Sequence, residues 1–263
     1  MSKSVERFTS RVEDYAKYRP GYPVEIVELL RRECGLTPDS IIADIGSGTG
    51  KSFEMFLANS NVVFGVEPNA SMRAVAERLF KDEPRFRSID GSAESTTLAD
   101  SSVDLIVAGQ AFHWFDLPKT REEWVRILKP SGWAVVMWNG RQLQTTPFLH
   151  DYEKLLLEFG TDYQDIRHEK AEAAIGGFFA PDKFTEASFP NTQVFDFNGL
   201  SGRVRSSSYT PEPDNPKFEP MMRELKTIFD KHQKNGSVNF DYQTRVFYGR
   251  LSKTREVKGS PYA

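Results

Sequence analysis

The sequence predicts an α/β fold, a doubly wound and mostly parallel sheet with helices on both faces. Two observations carry that expectation. Between Ile41 and Trp138, five short apolar runs alternate with segments of helical periodicity, the pattern of strands buried on both faces. The first run, I-I-A-D-I, leads straight into three glycines at alternate positions, Gly46, Gly48 and Gly50, which read as the tight turn after a buried strand. The chain has 263 residues, 39% of them hydrophobic and 27% charged, enough to bury a substantial core.

The elements follow in order. A helix is expected over Val5 to Lys17, broken by the prolines of Y-R-P-G-Y-P, and a second over Val24 to Glu33 with Ile26, Val27, Leu29 and Leu30 inward. The first strand is Ile41–Ile45, and a helix is expected from Lys51 to Ala58. The second strand, Val62–Val66, ends on Glu67, and a helix runs from Ala70 to Phe80. The third strand is Phe86–Asp90, and the fourth is Val103–Ala108 after the turn-like A-D-S-S. A helix over Lys119–Leu128 passes through K-P-S-G into a fifth strand, Trp133–Trp138. Beyond Asn139 the alternation stops. Helices are expected over Pro147–Phe159, Asp162–Ile175 and Lys217–Lys234. Two paired strands, Lys183–Phe189 and Gln193–Phe197, flank a Pro190–Thr192 turn, and a long strand covers Val238–Leu251. The expected organisation is one domain over 1–263: a ligand-binding half (1–140), sheet completion and substrate-covering insertions (141–251), and a tail (252–263) with little apolar content.

Bulk properties exclude several classes. A net charge of −3 gives no basic excess for a phosphate backbone, so no nucleic-acid partner is expected. Cys34 is the only cysteine, so no intrachain disulfide forms. The first residues lack the apolar core of a signal peptide, and no window approaches a membrane span, so the expected location is cytoplasmic, away from membranes. His150, His168 and His232 stand apart in the sequence and read as surface residues; no Cys/His spacing suits a metal.

The glycine turn selects among ligands. A strand, a glycine turn and a helix start together present backbone N–H groups with few side chains in the way. A nicotinamide dinucleotide site wants G-x-G-x-x-G, but here the third glycine comes one place early and Lys51 stands where that pattern has Gly or Ala. Asp44 at the strand end disfavours incoming phosphates and suits a ligand with positive charge.

At this point the chain resembles class I S-adenosylmethionine-dependent methyltransferases. The segment Asp44-Ile45-Gly46-Ser47-Gly48-Thr49-Gly50 matches their D-x-G-x-G-x-G. Gly65-Val66-Glu67-Pro68-Asn69 matches the strand end where that family places an acidic residue on the cofactor ribose. Asp90-Gly91-Ser92-Ala93-Glu94 is similar to the family's adenine loop, with Ser92 where Asp is usual. The run Val103 to Asp116, with A-x-H-W, and Y-x-x-Y-R-P-x-Y-P near the N-terminus look like the small-molecule, type 11 branch that includes trans-aconitate methyltransferase-like enzymes.

The resemblance covers Tyr15 to Asn139 and implies a Rossmann-like, seven-stranded, mostly parallel sheet with an antiparallel strand near the C-terminus and helical insertions forming a lid. It implies S-adenosyl-L-methionine as cofactor, held by Arg19, Asp44, Gly46, Ser47, Gly48, Gly50, Glu67, Pro68, Met72, Ser92, Ala93, Glu94 and Gln110. The acceptor is a small molecule, with carboxylates and phenols foremost. Methyl transfer from a sulfonium is an in-line displacement that needs alignment, water exclusion and, for some acceptors, removal of a proton. His113, just after the fourth strand, is the candidate base, with a pocket-shaping role as the alternative. Tyr18, Tyr22, Trp114, Arg203 and Tyr209 are candidate pocket residues, Tyr15 can close over the cofactor, and Arg203 and Arg205 read equally as a solvated helix face. A nicotinamide oxidoreductase and a catalytically silent S-adenosylmethionine-binding module are the competing readings.

Overall fold

The computed structural model describes residues 11–161, 163 and 169–252. Its frame is a seven-stranded sheet of order β3-β2-β1-β4-β5-β7-β6. The strands are β1 (Ile41–Ile45), β2 (Val62–Val66), β3 (Phe86–Ile89), β4 (Val103–Gly109), β5 (Leu128–Arg141), β6 (Phe184–Phe195) and β7 (Val238–Gly249). β1 to β5 run parallel, and β7 lies antiparallel to both β5 and β6.

The period of two along each strand explains the layering. In β5, Ala134, Val136 and Trp138 face one apolar cluster, while Val135 and Met137 face the other. Helices α2 (Glu25–Cys34), α3 (Glu54–Ala58) and α4 (Ala70–Leu79) cover one side, burying Ile26, Leu30, Phe56 and Ala76. Helices α5 (Leu117–Ile127) and α7 (Glu169–Phe179) cover the other with Trp124, Ile127, Ile175 and Phe178. At the N-terminus, α1 (Val12–Tyr18) packs Val12 and Ala16 on Met72 and Val75 of α4.

A third apolar cluster stands apart from the sheet faces. It joins Leu149, Tyr152 and Leu156 of α6 (Pro147–Phe159), Leu200 and Val204 of α8 (Phe197–Arg205), and Leu225 and Phe229 of α9 (Phe218–His232). Tyr18, Phe240 and Tyr242 belong to the same cluster. This is the helical lid. Its core lies over the starting end of β7, which, because β7 is antiparallel, is the carboxyl end of β5.

Several sequence expectations change. The helix after the glycine turn begins at Glu54 and spans five residues, because Gly50 to Phe53 continue as turns. The two strands predicted around Pro190 are one strand, β6. An edge position leaves the missing proline N–H without cost, so Pro190 pairs with Gln243 in register and makes no turn. Phe197, placed at the end of the second predicted strand, instead opens α8, the helix that carries Arg203 and Arg205, capped by the Asp196 side chain on Gly199 N at 2.7 Å. K-P-S-G lies inside β5, where the register shifts between Leu128 opposite Val103 and Trp133 opposite Leu105. His232 is only partly exposed, its side chain 12% accessible and its Nε2 2.7 Å from Asp151, so it is not the free surface residue expected. Residues 5–10 of the first predicted helix, 162 and 164–168 (with His168) of the charged segment, and 253–263 of the tail lie outside the described residues.

Candidate active site

The loop from Gly46 to Gly50 crosses the carboxyl ends of β1 and β4, beside the point where strand order reverses, the usual ligand crevice of an open α/β sheet. Gly46 N and Ser47 N both donate to Val66 O, at 2.8 and 3.2 Å, fixing the loop to β2. The three glycines do different work. A Cβ on Gly50 (φ 101°) would stand 2.5 Å from the Phe80 ring and 2.7 Å from Phe53, so that glycine answers to packing. Gly48 (φ 55°) has nothing within 4 Å of a built Cβ, so its backbone faces open space. Gly48 leaves the loop bare of a side chain at this point, while its N–H is taken by Glu67.

Two carboxylates bracket it. Asp44 is fully buried at the end of β1; its Oδ2 accepts from Ser52 Oγ at 2.5 Å, and its Oδ1 has no partner. Burial pushes Asp44 up to about 7 against the Ser52 hydrogen bond, with Glu67 adding to the rise. Glu67, at the end of β2, accepts from Gly48 N at 3.0 Å and Asn69 N at 2.8 Å. Burial raises Glu67 as well, opposed by those two N–H groups and by Arg73. A buried carboxylate oxygen without a donor beside an open glycine backbone fits a ligand with cationic and hydroxyl groups, which is what S-adenosylmethionine presents.

The loop after β3 turns back on itself through Ser92 N to Ser95 O at 3.0 Å and Ser95 N to Ser92 O at 3.2 Å. Ala93 is buried within it, and Glu94 accepts from Asp116 N. Gln110, at the end of β4, adopts φ 57°, unusual for a side chain with a Cβ, and is held by Gln110 Nε2 to Asn139 O at 2.9 Å.

On the lid side a cavity of about 330 Å³ opens from the glycine loop. Gly46, Ser47, Gly48, Ser52, Gln110, His113 and Trp114 line its floor; Arg19, Tyr22, Arg141, Tyr163, Arg203 and Tyr209 are among the residues of its roof and walls. The strap from Arg19 to Tyr22 is tied down at Gly21 O, which accepts from Asn139 Nδ2 at 3.1 Å and Asn191 Nδ2 at 2.9 Å. The Tyr22 hydroxyl lies over Gly109, where a Cβ would sit 2.7 Å from it, and is buried without a partner. Its acidity is weakened first by burial, then by Tyr15 and Asp44.

Three arginines converge here. Arg203 Nε donates to the Tyr242 hydroxyl at 3.1 Å and its Nη1 to Ser207 Oγ at 2.9 Å, with the guanidinium over Phe240. Arg19 Nη2 donates to Ser206 O at 2.8 Å. Arg141 bonds Glu153 and the Tyr163 hydroxyl, while its Nη1 is buried without a partner. Burial and then the like charge of Arg203 lower Arg19. Burial alone would raise Tyr209, but Arg203, Arg19 and Arg141 outweigh it, and its hydroxyl is held below the ordinary value.

Of the sequence-predicted residues, the cavity brings together Arg19, Tyr22, Gly46, Ser47, Gly48, Gln110, His113, Trp114, Arg203 and Tyr209, with Tyr15 beside them. Asp44 and Glu67 sit behind the loop, and Ser92 to Glu94 lie beyond the end of β3. Tyr18 is not on the cavity wall: its ring fills the space over Gly202, where a Cβ would be 2.0 Å away. The Met72 side chain is in the apolar cluster beneath α1. Arg205 turns outward to Asp14 at 3.0 Å, whereas Arg203 is buried, so the solvated-face reading holds for one and not the other. Arg141, Tyr163 and Tyr242 were not singled out in the sequence; no local motif marks them, and only the lid fold brings them in. Among the described residues no group of three His, Cys, Asp or Glu is placed to hold a metal, and no helix is long and apolar enough to cross a membrane.

Residues 43–136 match a family model described as a methyltransferase domain. An uncharacterized methyltransferase-like protein of Schizosaccharomyces pombe is 29% identical over 92% of this chain and 94% of its own length. A second uncharacterized methyltransferase of that yeast is 28% identical over 91% and 95%. The solved structure of a candidate type II methyltransferase from Anaeromyxobacter dehalogenans shares the fold, with a TM-score of 0.67 at 19% identity over 89% of this chain and 98% of that one.

Proposed function

We propose that this chain, whose residues 43–136 match a methyltransferase domain, is a class I S-adenosylmethionine-dependent methyltransferase acting on a small-molecule acceptor bound under the lid. The observation that carries the reading is the cavity of about 330 Å³ between the glycine loop and the lid, which adjoins the loop that would hold the cofactor's amino-acid end and is roofed by the lid as a small acceptor would need. S-adenosylmethionine supplies a methyl group on a positively charged sulfur, already activated for displacement.

The chain's own residues do the rest. Glu67, at the end of β2, holds the ribose hydroxyls, and Ser92, Ala93 and Glu94 flank the adenine. Pro68 borders the same end, and Met72 supports it from beneath. Asp44 and the backbone of Gly46, Ser47 and Gly48 hold the amino-acid end, with Arg19 answering its carboxylate and Gln110 beside it. Tyr22, Trp114 and the lid exclude water, which strengthens every charge interaction inside. His113 lies on the cavity floor and takes the proton from an acceptor that must lose one.

The test is a screen for S-adenosylhomocysteine release over carboxylic acids, phenols and amines, preceded by calorimetry with S-adenosylhomocysteine. Binding followed by turnover on a small acceptor is expected. Binding without turnover on any acceptor points to a silent module. A thermal shift with NAD or NADP and none with S-adenosylhomocysteine overturns the reading.

A further inference from the structure

Resting on that reading, the geometry points to an acceptor that carries an acid group, carboxylate or phosphate, seated on Arg203 and Arg141. Three guanidinium groups face one cavity: Arg19, Arg141 and Arg203. Among the described residues, the carboxylate paired with any of them is Glu153, on Arg141; Arg19 and Arg203 donate to a carbonyl, a phenol and a hydroxyl. Burying a guanidinium without an anion is costly, and a native chain that keeps two such groups around one cavity keeps them for something that enters it. The carboxylate of the bound cofactor answers one of them. A positive charge then remains on the acceptor side.

The placement supports this. Arg141 ends β5 opposite Tyr242 of β7, and Arg203 Nε donates to the hydroxyl of that same Tyr242. The two guanidiniums are therefore anchored to one strand pair at the carboxyl edge. Arg141 has a buried Nη1 with no partner, while its other end is fixed by Glu153 and the Tyr163 hydroxyl. A planar guanidinium that lines the cavity, anchored by Glu153 and Tyr163 and with one buried nitrogen left unpaired, is suited to an oxyanion that comes against it. The acid group is thus an anchor, and the methyl-accepting atom is another atom of the acceptor, turned toward the floor and His113. Its lone pair forms the new bond to the methyl carbon as the carbon–sulfur bond breaks and that pair stays on sulfur. A proton, where the acceptor has one to lose, passes to His113.

The experiment is calorimetry on the enzyme loaded with S-adenosylhomocysteine, using benzoate, glutarate and phenyl phosphate as probes. Each is paired with a neutral counterpart: benzamide, glutaramide and phenol. At least one acid should bind ten times or more tighter than its neutral partner, and the benzoate and phosphate arms tell the two anion types apart. Arg203→Met and Arg141→Met should each bring the acid to within about threefold of its neutral partner while S-adenosylhomocysteine affinity stays within twofold. Should Arg203→Met lose its fold, since it also surrenders the Tyr242 and Ser207 bonds, Arg141→Met and the chloride dependence of acid binding carry the test. Neutral partners binding as tightly as acids, no acid binding to an enzyme that does bind S-adenosylhomocysteine, or an acid preference that survives both substitutions overturns the inference and leaves the methyltransferase reading standing. Failure to bind S-adenosylhomocysteine at all overturns the reading itself.

Discussion

Asp44→Asn separates what this residue does for the fold from what it does for the ligand. Asp44 is fully buried, and its carboxyl is pushed from 3.8 up to about 7, chiefly by burial. The folded chain therefore holds this proton more tightly than the unfolded one does. The contribution to stability is intact below about pH 4 and is lost progressively as pH rises toward 7, where the ionised form must be accommodated. About three pH units correspond to ~4 kcal/mol as an upper figure. Asparagine is the same size, still accepts from Ser52 and never ionises, so it removes the penalty. At pH 8 the ligand-free variant should melt several degrees above the wild type, since ~1 kcal/mol moves a chain of this size by about 2–4 °C. At pH 4 the two should coincide. The same substitution should weaken S-adenosylhomocysteine binding, because the buried anion that suits a cationic group is gone. The assay is thermal denaturation from pH 4 to 8, with the difference between variants isolating Asp44 from Glu67 and the other carboxylates. Parallel melting curves at every pH would refute the electrostatic account of this residue.

Other outcomes follow from the same geometry. Glu67→Ala removes a charged acceptor that also orients Gly48 N and Asn69 N; a loss of ~1.5–3 kcal/mol, or about 10- to 150-fold in the calorimetric Kd for S-adenosylhomocysteine, is expected. Wild-type affinity in this variant removes Glu67 from the cofactor site. His113→Ala should lower kcat by about 10²-fold or more while the S-adenosylhomocysteine Kd stays within twofold; an unchanged rate assigns His113 to shaping the floor. Trp124→Ala empties the middle of the core beneath β4 and β5, where the ring packs against Phe115 and Phe178. It should cost ~3–5 kcal/mol in chemical denaturation without touching the cavity.

The sheet was legible because burial on both faces writes itself into the sequence. Ile41–Ile45, Val62–Val66 and Val103–Gly109 have no polar face to spare, so their apolar runs end where the strands end. The segments proposed for the cofactor were legible for a related reason: Asp44 to Gly50, Glu67 and Ser92 to Glu94 each lie at one strand end or turn, which neighbours in sequence help to set. Pro190 misled because its meaning depends on the sheet edge. An edge strand tolerates a missing N–H that a central strand would not, and edge position is a property of the assembled sheet. The start of α8 was not legible because Gly199 and Gly202 depress its helical signal, and Gly202 is there for the Tyr18 ring, a contact 184 positions away.

The sequence by itself determined the fold class and the strand-end segments that resemble a methyltransferase cofactor site, since those are local patterns. Tertiary structure decided which charged side chains of the lid line the cavity. Arg141 and Arg203 come from distant stretches, and nothing near either in the chain distinguishes it from Arg205, which pairs with Asp14 at the surface. Only packing the lid over the start of β7 turns those charges inward, because a charge becomes part of a site through burial, and burial is set by the whole fold.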